Sequence, residues 1–141
     1  TFTDPKKSNI SPKVFRLIIW LIPIVSIVVC SFTYIYALGM DINIKIVCFL
    51  LMGLAFVLIG NYLPKCPPNY TIGFKFPWTL EDEENWNKTH RFGGYLLIIL
   101  GLAIILSSFL DYTLIIGIAI GAGCIAPIIF SYTLYVIKKK E

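Results

Sequence analysis

Four long apolar runs, at 17–40, 46–63, 92–110 and 112–137, divide the 141 residues, and none contains Asp, Glu, Lys, Arg or His. About 20 apolar residues cross the hydrocarbon core of a bilayer, so the middle two runs are just long enough and the outer two have length to spare for tilt. Nothing in them alternates with period two, which removes the strands of a closed barrel. A segment that satisfies its own backbone in hydrocarbon must then be helical. The pattern predicts an all-α, polytopic membrane protein with four transmembrane helices. Short breaks join the first helix to the second at 39–45 and the third to the fourth at Asp111, so the last two form a tight antiparallel hairpin. Gly117, Gly121 and Gly123 give the fourth helix a small-residue face, expected to pack on Gly93, Gly94 and Gly101 of the third, with a second copy of the chain as the alternative partner. Pro23 and Pro127 are kink positions, and Ser26, Ser31 and Thr33 can satisfy carbonyls that Pro23 leaves free.

The central polar stretch, 60–92, has a different texture. Pro64, Pro67, Pro68 and Pro77 fix φ and remove donors, and Gly73 tolerates positive φ, so 64–78 is expected to be an ordered, non-helical connection. Asn61 is expected to cap the second helix, with contact to the loop as the alternative. Thr79 reads as the N-cap of the next one, with Asp82 as its capping-box partner and Glu81, Asp82, Glu83 and Glu84 matched to the helix dipole. From Leu80 this helix runs into the third apolar segment. Trp86, Thr89, His90 and Gly93, at i, i+3, i+4 and i+7, share one face, while Glu84 and Lys88 form an i, i+4 pair on the exposed side.

Charge settles orientation more than it suggests a partner. Eleven of the twelve basic residues lie before the first helix, in the central stretch or after the fourth helix, and only Lys45 lies elsewhere. The positive-inside rule then places both termini and the central loop in the cytoplasm, N-in and C-in, with no direct nucleic-acid partner expected from the net charge of +4. The first apolar run is too long for a signal-peptide core and has no small-residue cleavage site after it, so it reads as a retained span. Residues 1–13, with Pro5 and Pro12, read as a cytoplasmic lead or linker, and 14–141 as one four-helix membrane domain. Cys30, Cys48, Cys66 and Cys124 form neither a CxxC pair nor a Cys–His cluster, so free thiols are expected rather than a disulfide or zinc framework.

The chemistry-bearing residues admit more than one reading. His90 could relay protons near neutrality or serve as a structural hydrogen bonder; the consecutive carboxylates 81–84 fan around a helix instead of converging on it. Trp78 and Trp86 suit either interfacial anchoring or recognition from a rigid turn. Lys65, Lys75, Lys88 and Arg91 set topology and can meet anionic headgroups. With no nucleophile–base pair, phosphate loop or metal-spaced ligand set, neither catalysis nor a cofactor or metal is expected.

The run NYTIGFKFPWTLEDEENWNKTHRFGG, with Asn69, Gly73, Lys75, Pro77, Trp78, Thr79, Leu80, Trp86, Thr89, His90, Arg91 and Gly93 in order, resembles the signature of the SdpI family of bacterial integral membrane proteins. Lys75-Phe76 departs from the Arg-Thr of many members and removes the fork that a bidentate anion contact would use. The TDPKKSN opening is similar to the seam after a preceding domain in many members, which suggests a carboxyl-terminal portion or processed chain. The resemblance implies a multi-pass protein of the bacterial plasma membrane that confers immunity to a membrane-active toxic antimicrobial peptide. In some members a cytoplasmic transcriptional repressor is also captured, coupling toxin sensing to gene expression. The signature residues are then the expected partner-binding positions, the bilayer is a partner, and an oligomer is allowed. A small-molecule or peptide permease component is the alternative, although the spans offer only Ser, Thr and Cys for a polar path.

Overall fold

The computed structural model describes residues 12–110 and 113–140, with the side chains at 13–15, 17–18 and 113–116 left undescribed. The expected lead at 1–13, apart from the start of the first helix, and the turn at Asp111 lie outside the described residues. The described chain is all-helical: α1 (Pro12–Ala37), α2 (Ile44–Tyr62), a 3₁₀ turn (Leu63–Lys65), α3 (Pro77–Glu81), α4 (Glu83–Ser107) and α5 (Thr113–Lys138). Four of these helices, α1, α2, α4 and α5, are long and apolar enough to cross a membrane.

The helices lie in the order α1, α2, α4, α5: α1 packs on α2, α2 on α4, and α4 on α5. The tightest seam joins α2 and α4, and glycine makes it. A Cβ on Gly53 would come within 2.6 Å of the Gly101 carbonyl oxygen, and one on Gly60 within 2.7 Å of that of Gly94. Each pair is reciprocal, and the glycines recur after seven residues on both helices. That spacing returns small residues to one face of two antiparallel helices crossing at a shallow angle, and lets their backbones touch where lipid supplies no hydrophobic drive. This corrects the expectation that the glycines of the fourth span pack on those of the third. Gly117 and Gly121 meet nothing within 4 Å, and only Gly123 touches α4, against Leu100.

Other local expectations change for identifiable reasons. Asn61 does not cap α2: it is exposed within the helix, whose C-cap is Leu63, bonded through its N–H to the Ile59 carbonyl. Ser31 and Thr33 donate to the carbonyls of Ile27 and Val29, four residues back, so neither serves the carbonyl freed by Pro23. The cysteines are free thiols, and only Cys66 is buried.

Candidate functional site

Between α2 and α4 the chain builds a compact headpiece, residues 63–82, seated on the first turns of α4 and the last turns of α5. Its fold starts from short-range hydrogen bonds. Asn69 is 1% exposed; its Oδ1 accepts from the Thr71 and Ile72 N–H groups at 2.9 and 2.7 Å, and its Nδ2 donates to the Pro67 carbonyl at 2.8 Å. The side chain thus supplies partners to a backbone that prolines keep out of regular structure. Lys75 Nζ donates to the carbonyls of Tyr70 and Thr71, which occupies it in holding the loop.

Thr79 is not the N-cap. Pro77 takes the first helical position of α3, where its missing N–H costs nothing, so the helix begins three residues earlier than expected. Thr79 falls at the third position, where its Oγ1 accepts from the Phe76 N–H at 3.0 Å and lies 2.9 Å from the carbonyls of Phe74 and Phe76. The chain then breaks at Asp82, extended at φ −123°, ψ 107°. Asp82 N-caps α4 through a 3.1 Å bond from the Glu84 N–H, with Glu83 and Glu84 in the first turn. Two helices therefore replace the single one expected from Leu80 onward.

The shared face of Trp86, Thr89, His90 and Gly93 turns inward, and all four residues are buried. Trp86 Nε1 donates to the Cys66 carbonyl at 2.8 Å, and the indole stacks on the His90 ring with centroids 3.9 Å apart. His90 Nε2 accepts from the Phe74 N–H at 3.0 Å. That role leaves Nε2 without a proton, so Nδ1 carries it and donates to the Trp86 carbonyl at 2.8 Å. His90 is thus a neutral brace between α4 and the loop. Gly73 passes over it at φ +112°, with no room for a side chain, and the Phe74 ring covers Gly93. Burial also pushes the Cys66 thiol above its ordinary value.

A second polar chain ties the headpiece to α5. Trp78 Nε1 donates to Ser131 Oγ at 3.0 Å, and Asn85 Nδ2 donates to the Ser131 carbonyl at 3.0 Å. Thr89 Oγ1 donates to Asn85 Oδ1 at 3.0 Å, and Ser131 Oγ donates to the Ile128 carbonyl at 3.1 Å. The Trp78 ring stacks on Phe76 and meets Tyr132 edge-on. At the rim, Lys138 Nζ reaches Asp82 Oδ2 at 2.8 Å, and Glu84 pairs with Lys88 at 2.8 Å on the exposed side. The Lys138 hydrogen bond holds the Asp82 carboxyl below its ordinary value, helped by the Glu84 N–H.

Of the signature residues, Asn69, Thr79, Trp86, Thr89 and His90 are buried, Gly73, Trp78 and Leu80 are half-buried, and Lys75, Pro77 and Arg91 are exposed. The motif therefore folds mainly into its own core and leaves few of its members on the surface. Asn85, Ser131 and Lys138 complete the site and were not singled out from the sequence as site residues. Asn85 carried a weak signal, four residues before Thr89 on the inward face; Ser131 and Lys138 carried none, since their partners lie 46 to 56 residues away. Among the described residues, no three His, Cys, Asp or Glu side chains cluster as a metal site.

Residues 65–131, from the end of the 3₁₀ turn through the headpiece and α4 into α5, match the SdpI/YfhL protein family. Over 108 residues the chain is 32% identical to Immunity protein SdpI of Bacillus subtilis (strain 168), covering 77% of this chain and 52% of that protein. It thus spans about half the length of this relative. No solved structure matches. Together with the four apolar helices, the match makes this a multi-pass bacterial membrane protein in contact with the lipid bilayer.

Proposed function

The 65–131 segment belongs to the SdpI/YfhL protein family, and from that premise we propose that the protein is an SdpI-like immunity protein, protecting a bacterium against a membrane-active toxic peptide. The observation that carries this reading is the 32% identity, over 77% of this chain, to a protein whose name states immunity. The headpiece supports it in kind. A toxin in the bilayer meets α1, α2, α4 and α5, and the Trp78–Ser131–Asn85 chain joins α5 rigidly to the headpiece.

In the proposed arrangement both ends and the headpiece face the cytoplasm, following the basic residues. A shift of α5 against α4 on toxin binding alters the headpiece surface, where the exposed Glu81 and Arg91 are available to a cytoplasmic repressor. Such a switch requires that toxin favour one arrangement of the helices over the other.

Survival of sensitive cells expressing the chain, challenged with a membrane-active toxic peptide, tests the proposal. The parent is expected to protect. Ser131→Ala with Trp78→Phe, a pair that removes the peg and keeps the aromatic packing, is expected to protect less at equal membrane abundance. Killing of parent-expressing cells at the rate of cells without the chain would overturn the immunity reading. Full protection by the double variant would overturn the role of the headpiece–α5 link.

A further inference from the structure

A cleft of about 450 Å³ opens between α3 and the end of α5, lined by Trp78, Glu81, Asp82, Tyr135, Lys138 and Lys139. Its volume falls in the range of sites that hold small molecules. The floor is aromatic: the Trp78 ring, held by its bond to Ser131, lies 6.1 Å from that of Tyr135. Of the four charged side chains, Asp82 and Lys138 neutralise each other at 2.8 Å. Glu81 is exposed and has no ion pair or hydrogen bond among the described residues. Lys139 lies over the Tyr135 ring, at 6.0 Å, and has no ion pair among the described residues. The cleft therefore presents, among the described residues, one anion and one cation outside any ion pair, beside the Trp78 ring. Lys138 ends the Gly117–Lys138 span, so the cleft sits where apolar helix meets the headgroup layer, whichever way the chain is inserted.

We propose that this cleft binds the headgroup of a zwitterionic aminophospholipid, with the ammonium at Glu81 against the aromatic floor and the phosphate at Lys139. Charge complementarity selects this occupant. A purely anionic headgroup meets the carboxylate of Glu81, and a purely cationic ligand meets Lys139. A zwitterion satisfies both of these charges, and its ammonium gains the Trp78 ring as well. The site needs neither the immunity reading nor a particular orientation.

The test is binding of dihexanoyl phosphatidylethanolamine and dihexanoyl phosphatidylglycerol to the purified, delipidated full chain in detergent, followed by tryptophan emission. The expected result is about fivefold tighter binding of the phosphatidylethanolamine, the worth of one interfacial charge contact. Glu81→Gln is expected to abolish that preference by weakening phosphatidylethanolamine alone, and Lys139→Gln to weaken both lipids. Neither side chain makes a contact the fold depends on, so both variants should unfold thermally as the parent does, which shows the effect to be local. Equal affinities in the parent, a preference for phosphatidylglycerol, or an unchanged phosphatidylethanolamine affinity in Glu81→Gln would overturn the proposal.

Discussion

Gly73→Ala probes the junction on which the headpiece rests. Gly73 has φ +112°, and a Cβ there would strike His90 Nε2, the atom that accepts the Phe74 N–H. Two costs add. Forcing a side chain into that backbone region costs about 1–3 kcal/mol. Displacing the His90 ring leaves the Phe74 N–H and Nε2 without partners, for about 1–3 kcal/mol more. Gly39→Ala separates the two, because Gly39 also has positive φ, at +87°, but nothing lies within 4 Å of its would-be Cβ. Heating the detergent-solubilised full chain while following helical circular dichroism gives the comparison. At about 2–4 °C per kcal/mol for a chain of roughly this size, Gly73→Ala should melt about 4–24 °C below the parent, and Gly39→Ala about 2–12 °C below it. In a His90→Ala background the collision is gone, so adding Gly73→Ala should cost no more than Gly39→Ala does there. Equal melting of the two single variants would refute the brace between Gly73 and His90.

Three further outcomes follow from the same geometry. Gly60→Ala and Gly101→Ala drive a methyl into the facing backbone of the α2–α4 seam and should each cost about 1–3 kcal/mol, whereas Gly117→Ala and Gly121→Ala, in open space within α5, should hold the melting temperature or raise it slightly. Trp86→Phe keeps an aromatic ring against His90 but leaves the Cys66 carbonyl without its donor; a loss of about 1–3 kcal/mol on thermal melting checks this. Asp82→Asn keeps the N-cap and removes the charge that Lys138 stabilises. Because the folded Asp82 carboxyl is held below its ordinary value of 3.8, its contribution is present above that value and lost as pH falls through the depressed one. The parent should therefore melt above Asp82→Asn at about pH 7, by no more than about 3 °C for so exposed a pair, and the gap should close in acid. A gap that persists in acid would show that the charge is not its source.

The spans were legible because hydrocarbon imposes a length and a polarity on any segment that crosses it, and both are read residue by residue. The inward face of Trp86, Thr89, His90 and Gly93 was legible for the same kind of reason: the helical period alone brings them together, and one is buried because its neighbours are. Positive φ at Gly73 and the Glu84–Lys88 pair are likewise local. The start of α3 was misread although its signal was local too, because Pro77 at the first helical position outranks Thr79 as a cap. The seven-residue spacing of Gly53 with Gly60, and of Gly94 with Gly101, was present but ambiguous beside the denser glycines of α5. Spacing says that a face is small, not which helix will use it.

What only the tertiary structure decided is the choice of partner across the chain. Ser131 is one hydroxyl in an apolar helix until Trp78 and Asn85 reach it, and Lys138 is one of three terminal lysines until Asp82 meets it. The seat of the headpiece on α5, and with it the division of the signature into buried braces and a few exposed side chains, depends on these pairings. They join residues 46 to 56 positions apart, far beyond the reach of any periodicity. Secondary structure follows from each residue's immediate neighbours, whereas a polar contact between elements forms only where the packing of whole helices brings donor and acceptor within about 3 Å.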